Sequence, residues 1–411
     1  MKKQLKNLLT LSVCTVSVLL LSASEIPNQY GHNHVSWGFF AHKRINKLAI
    51  LTLPPEMMVF FKKNIDFISD HAVDPDMRRY STRMEGARHF IDLDQYGTPP
   101  FPHLPRNWSD ALIQHTDIRV IDTKGDTLLL VSHRDSMTPV MRQEYRRWFQ
   151  QSVVPAFYSG KERVDTDSVF RFFSEWGRLD NRPDAAFFQE FISGHGILPW
   201  NLQHFQQKLT TAFRERNARK ILKFSAEIGH YIGDAHVPLH TCSNYNGQKT
   251  GQHGIHGFWE SRIPELFADE SYDYFVGKPS YIENTRDWFW KCALDSHTMV
   301  DSVLSFEKML RESFPPDRQM CPDMRQGIMG IHPCREFASA YQDALDGMVE
   351  RRMRAAIIAV SSAWYTAWVD AGQPDLSGLD AGAPDQQELE EDQSVRNAFA
   401  LGKILGRTED H

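Results

Sequence analysis

The segment His230-Tyr-Ile-Gly-Asp234-Ala-His236-Val-Pro-Leu-His240 concentrates groups able to bind a metal ion. On a helix, residues four apart share a face about 5–6 Å from each other, so His230 and Asp234 can reach one ion. Pro238 cannot continue the helix and can swing His240 back toward the same point. His236, two residues beyond Asp234, faces away. A second i, i+4 pair follows in His256-Gly-Phe-Trp-Glu260. Imidazole with carboxylate is the donor set expected for zinc where thiolates are absent. One His-x-x-x-Asp pair alone is more often a hydrogen-bonded core histidine. Two such pairs flanking a third imidazole favour a metal centre over that reading.

The elements that must carry these groups are mainly helical. Apolar positions at helical spacing run through 43–69, with Pro54-Pro55 dividing them into two helices, through 203–234, and through 336–371, the longest such pattern. The exception is 117–132, where Ile118-x-Val120 and Leu128 to Val131 flank Lys124-Gly125-Asp126 as a β-hairpin. After Gly372 the composition turns to Gly, Pro, Asp and Glu. Residues 373–411 therefore read as an acidic, partly disordered, solvated tail with a short helix near 394–404. The expected class is mainly α: a single helical domain over 25–372, carrying an insertion at about 115–190.

Composition narrows the function. Forty-six Lys and Arg against 52 Asp and Glu give a net charge of −6, which argues against a dedicated duplex-binding protein. Hydrophobic residues at 41% exclude a disordered chain. Met1 to Ser24 has the basic start, apolar run and small-residue end of a secretory signal peptide, so the mature chain is expected to be exported, periplasmic or secreted. No second apolar run is long enough to span a membrane. Beyond that leader four cysteines remain, and Cys321 with Cys334 is the favoured disulfide. The 18 histidines far outnumber the cysteines, which turns attention from thiolate sites to imidazole ones.

The spacing of His230, Asp234, His240, His256 and Glu260 resembles the signature of the zinc-dependent phospholipases C and the related fungal single-strand-specific nucleases. Trp37-Gly-Phe-Phe-Ala-His42 is similar to the start of the nuclease branch, and His89-Phe90-Ile-Asp92 to the His-Phe-x-Asp segment found in both branches. Gly196-Ile-Leu-Pro-Trp200 is a weaker match, and 115–190 has no counterpart. The resemblance implies a helical fold with three zinc ions in a cleft. One would sit on Asp76 or Asp74 with His89, His230 and Asp234; a second on His240, His256 and Glu260; a third on Trp37, His42 and the other oxygen of Asp234. In the family that Trp is the chain's first residue, whereas cleavage after Ser24 leaves Trp37 internal. Three zinc ions against three carboxylates leave about +3, suited to a phosphodiester whose charge grows in the transition state.

The resemblance further implies attack on phosphorus by a metal-activated water, with Asp76 as general base. The substrate classes are phospholipid and single-stranded nucleic acid or nucleotide, with Phe90 and Asp92 as substrate-binding residues. Glu260 in place of Asp leans toward phospholipase, while Arg79, three residues beyond Asp76, fits the nuclease pattern. A zinc-stabilised helical protein without catalysis is the reading from another class. No stable protein partner is inferred.

Overall fold

The computed structural model describes residues 39–325, 328–405 and 407, which fall within one compact unit. The expected signal peptide and Trp37 lie outside the described residues. The architecture is mainly helical, with two small β-sheets.

The central element is the helix Ala218–Asp234. Asn217 starts it, its side chain accepting from the Lys220 amide, and every residue from Ser225 to Asp234 is buried. Around it pack Phe39–Ile50, Leu198–Arg214 and Met348–Asp370. Trp364 donates its indole N–H to Ser225 O at 3.0 Å and stacks on Phe61 with ring centroids 5.1 Å apart. The helical expectation over 203–234 resolves into two helices, broken where Arg216 takes a positive φ of 52°. The long pattern over 336–371 is likewise two helices, Arg335–Ala344 and Met348–Asp370. Asp346 and Gly347, at φ 49° and 68°, turn the chain between them. A left-handed pair cannot continue a right-handed helix, although the apolar spacing runs on past it.

The hairpin expected near 117–132 is present as β1 (Thr116–Ile121) and β2 (Thr127–Val131), paired antiparallel with Val120 opposite Leu128. Sequence reading did not anticipate β3 (Ala185–Glu190), which takes the other edge of β1 and sets Phe188 opposite Ile118. The helices between β2 and β3 fold back on this sheet and bury Tyr145, Phe149 and Phe173 in a second core, shared with Ile91, Trp200 and Trp290. A second hairpin, β4 (Met320–Arg325) and β5 (Ile328–Pro333), is closed at its base by the disulfide Cys321–Cys334.

Within the segment expected to be a solvated tail, the described residues form a helix that buries none of its own residues. The helix there spans Gln386–Ala400, begins earlier than anticipated, and is started by a reciprocal capping box of Asp385 and Glu388. Among the described residues no helix is long and apolar enough to cross a membrane.

Candidate metal centre

Four separate stretches of chain meet at one end of the central helix. His42 comes from the helix Phe39–Ile50, and two glycines one turn apart let that helix approach. A Cβ at Gly229 would overlap the Asn46 side chain, and one at Gly233 would lie 2.8 Å from His42 Nδ1. His42 consequently stacks on His230, with ring centroids 3.9 Å apart. Its Nε2 lies 3.3 Å from Asp234 Oδ1 and 3.2 Å from Glu260 Oε1.

The second stretch places Asp74 and Asp76 differently. Both lie on the short helix Asp74–Arg78. Two residues apart, they point about 200° from each other around its axis. Asp74 faces outward and binds His71 Nδ1 at 2.6 Å. Asp76 faces inward, its Oδ1 3.7 Å from His230 Nε2 and 3.8 Å from both His89 Nδ1 and Arg79 Nη1. Asp74 is thus set apart from the cluster, a correction to the open alternative.

His89 follows on a loop that is fastened by backbone bonds rather than by regular structure. The Ile91 amide donates to His240 O at 2.9 Å and the Asp92 amide to His195 O at 2.8 Å. Gly196, at φ +80°, passes so close to the Phe90 carbonyl that any Cβ would overlap it, which accounts for a glycine at the start of the Gly196–Trp200 segment. His89 presents Nδ1 to Asp234 Oδ2 at 3.0 Å.

The third and fourth stretches supply the rest. His230 directs Nδ1 to Ala72 O at 2.8 Å, which turns Nε2 toward Asp234 Oδ2 at 3.4 Å. Pro238 stops the central helix as expected, and the 3₁₀ turn Pro238–Thr241 returns His240 to the site. His240 Nε2 stands 3.3 Å from Glu260 Oε2, and His256 Nε2 2.8 Å from the same oxygen. His256 and Glu260 sit where a short helix loosens into a π turn at Phe258–Arg262, a geometry common at functional sites.

These side chains form three buried groups that could each hold a metal ion: Asp76, His89 and His230; His42, His230 and Asp234; and His240, His256 and Glu260. Within each group the ligand atoms lie within 4.8 Å of one another. The two oxygens of Asp234 face different groups, as do those of Glu260. His236, expected to face away, is buried but directs Nδ1 to Ile232 O instead.

The residues fit a cation. The two imidazole nitrogens near Asp76 Oδ1, of His230 and His89, are too distant for hydrogen bonds yet close enough to share an ion with it. Burial alone would raise the Glu260 carboxyl pKa, but hydrogen bonds from His240, His256 and His42 outweigh it and hold the group well below the ordinary range. Burial would lower His42, but Asp234 and Glu260 raise it well above the usual imidazole value. The pocket thus draws positive charge to itself.

Beside the cluster, Phe90 and Asp92 line a slot that sequence reading identified only in part. Its opposite wall is Tyr245, and the slot contains Arg407 from the tail. Neither residue carried a signal in the sequence, since no periodicity or spacing ties them to the histidines. The Gly229-x-x-x-Gly233 spacing, which admits His42, is a signal present in the sequence itself. Trp37, expected to help hold a third ion, lies outside the described residues. No protein-family model matches the chain, and no curated protein matches it.

Proposed function

We propose that this protein is an exported zinc-dependent hydrolase of phosphate esters, similar to the zinc phospholipases C, with residues 1–24 as its secretory signal peptide. The observation that carries the reading is the sharing of Asp234 and Glu260 between adjacent buried ligand groups. Shared carboxylates bring cations close together, the arrangement that clamps a phosphodiester during in-line displacement. Five imidazoles (His42, His89, His230, His240 and His256) and three carboxylates, with no thiolate among them, favour zinc over softer ions. Zinc bound there would lower the pKa of a water to near neutrality and offset charge on phosphorus.

The chain's own residues then have distinct tasks. Asp76 is the proposed general base, with one carboxylate oxygen among the ligands and Arg79 alongside to orient it. Phe90, Asp92 and Tyr245 form the slot for the substrate's non-reacting part. The slot is narrow: the Arg407 guanidinium carbon lies 3.9 Å from the Phe90 ring centroid and 3.4 Å from that of Tyr245. A carboxylate at the edge of two rings suits a cationic headgroup such as choline.

The same slot favours a second reading, a single-strand-specific nuclease or 3′-nucleotidase. A planar base would stack between the rings and donate an N–H to Asp92. A non-catalytic zinc protein accounts less well for carboxylates shared between adjacent groups without a cysteine among them, because structural zinc sites are usually rich in cysteine. The discriminating experiment is hydrolysis of bis-p-nitrophenyl phosphate by zinc-replete protein with and without chelator, followed by phosphatidylcholine and denatured DNA side by side. Chelator-sensitive turnover is expected. Its absence would leave only the non-catalytic reading.

A further inference from the structure

We infer that the C-terminal segment is a strap that closes the substrate slot from within the same chain, with Arg407 as its plug. The inference rests on the hydrolase reading for one of its two readouts. The strap is anchored at a distance from the slot. Glu388 pairs with Arg219, and Phe399 packs edge-on against Tyr80 with centroids 4.9 Å apart. From there the chain runs to the metal-binding end of the molecule. The Leu405 amide donates to Arg79 O at 2.9 Å, and Arg79 Nη2 donates to Arg407 O at 3.3 Å. Arg407 then enters the slot. Nη1 donates to Asp92 Oδ1 at 2.8 Å, Nη2 donates to Cys242 O at 3.2 Å, and the guanidinium lies between the rings of Phe90 and Tyr245.

Two substrate-facing functions are occupied at once. The planar cation fills the slot, and a carbonyl oxygen takes a donor of Arg79, the residue beside Asp76. A substrate bound to the same groups must displace both.

The strap is built to be displaced. The helix Gln386–Ala400 buries none of its residues, and Leu401 is 83% exposed. A segment with few buried apolar contacts opens locally at much lower free energy than the fold as a whole. Being tethered, Arg407 is nevertheless presented to the slot at an effective concentration on the order of millimolar. A ligand that binds only the open form has its affinity reduced by the open fraction. If that fraction is roughly one tenth or less, freeing the slot improves apparent affinity about tenfold or more.

The test uses the full-length, zinc-replete protein and its Arg407→Ala variant with bis-p-nitrophenyl phosphate. The expected result is a fall in KM of about tenfold or more with kcat unchanged, because the reacting groups are untouched and only access differs. An unchanged KM overturns the strap, and a raised KM overturns it in favour of Arg407 holding substrate. Binding of p-nitrophenyl phosphate to both proteins, followed by calorimetry, reads the strap without catalysis. Tighter binding to the variant supports it even if neither protein turns over substrate, an outcome that removes the hydrolase reading alone. Equal affinity, or binding to neither, overturns it.

Discussion

Gly233→Ala tests whether His42 is held in the metal centre by the close approach of two helices. The added methyl carbon would lie 2.8 Å from His42 Nδ1, whereas ordinary contact begins near 3.4 Å. The imidazole must therefore retreat by about 0.6 Å, several times the ~0.2 Å tolerance of a metal–ligand bond. Overpacking costs roughly 1–3 kcal/mol, and replacing a helical glycine by alanine returns about 1 kcal/mol. The net loss of stability is then ~0–2 kcal/mol, or a few degrees in Tm at most for a chain of this size. Metal affinity in the group of His42, His230 and Asp234 should weaken at least tenfold, the scale on which misoriented ligands act. The assay is metal content after dialysis against a buffered competitor, with thermal unfolding of the same samples. Gly229→Ala is the comparator. Its methyl overlaps the Asn46 side chain and endangers the bond from Asn46 to Ala226 O, so it should lower Tm more and metal content less. Full metal content at unchanged affinity in Gly233→Ala would refute the reasoning, because His42 would then not depend on the glycine groove.

Three further outcomes are expected. Asp234→Ala should lose more than one metal equivalent, because its two oxygens face different ligand groups; a full complement by elemental analysis contradicts that. Cys242 and Cys292 should resist alkylation at pH 8 in the native protein and react once it is unfolded, since burial pushes both thiols up to about 12; rapid native labelling of either refutes their burial. Glu85 is buried, which would raise its pKa, but Arg78 and Arg88 outweigh this and lower it from 4.5 to about 2. A depressed folded-state pKa stabilises above the unfolded value, and that contribution, on the order of 3 kcal/mol, is lost as pH falls from about 4.5 toward 2. Chelated Glu85→Gln protein should therefore show a flatter decline of stability over that window, and an unaltered decline sinks the assignment.

The parts of the site legible in the sequence are those fixed by local geometry. His230 with Asp234 and His256 with Glu260 each lie one helical turn apart, and Pro238 marks where the chain must bend, so their convergence follows from short-range rules. The mainly helical class was legible for the same reason. Asp74 and Asp76 could not be separated until the phase of one short helix was known, because either could face inward. β3 was missed because its partner, β1, lies far back in the chain, and its own alternation is too weak to announce a strand. The break at Asp346-Gly347 was hidden beneath an apolar pattern that continues through it. Arg407 is the extreme case, since its role depends on where a long segment of intervening chain delivers it.

The imidazoles of the centre are oriented by unequal means, and this decides where the site is most easily disturbed. His230 and His256 each direct Nδ1 to a backbone carbonyl, of Ala72 and Tyr245 respectively, so the ring is fixed by a bond that also turns Nε2 inward. His89 is reversed. Its Nδ1 meets Asp234, and its Nε2 lies 3.9 Å from Glu85, itself pinned by Arg78, Arg88 and Tyr231. That ion network lies behind the centre and holds His89 from the rear by charge. His42 has no such support, because its Nδ1 is buried without an acceptor and meets the surface of Gly233. Its position is set by contact rather than by a directed bond. A hydrogen bond tolerates a few tenths of an ångström before it weakens, whereas repulsion at a closed contact rises at once. An imidazole placed by packing, as His42 is, is therefore one through which a single methyl group can reach the candidate metal centre without altering a ligand.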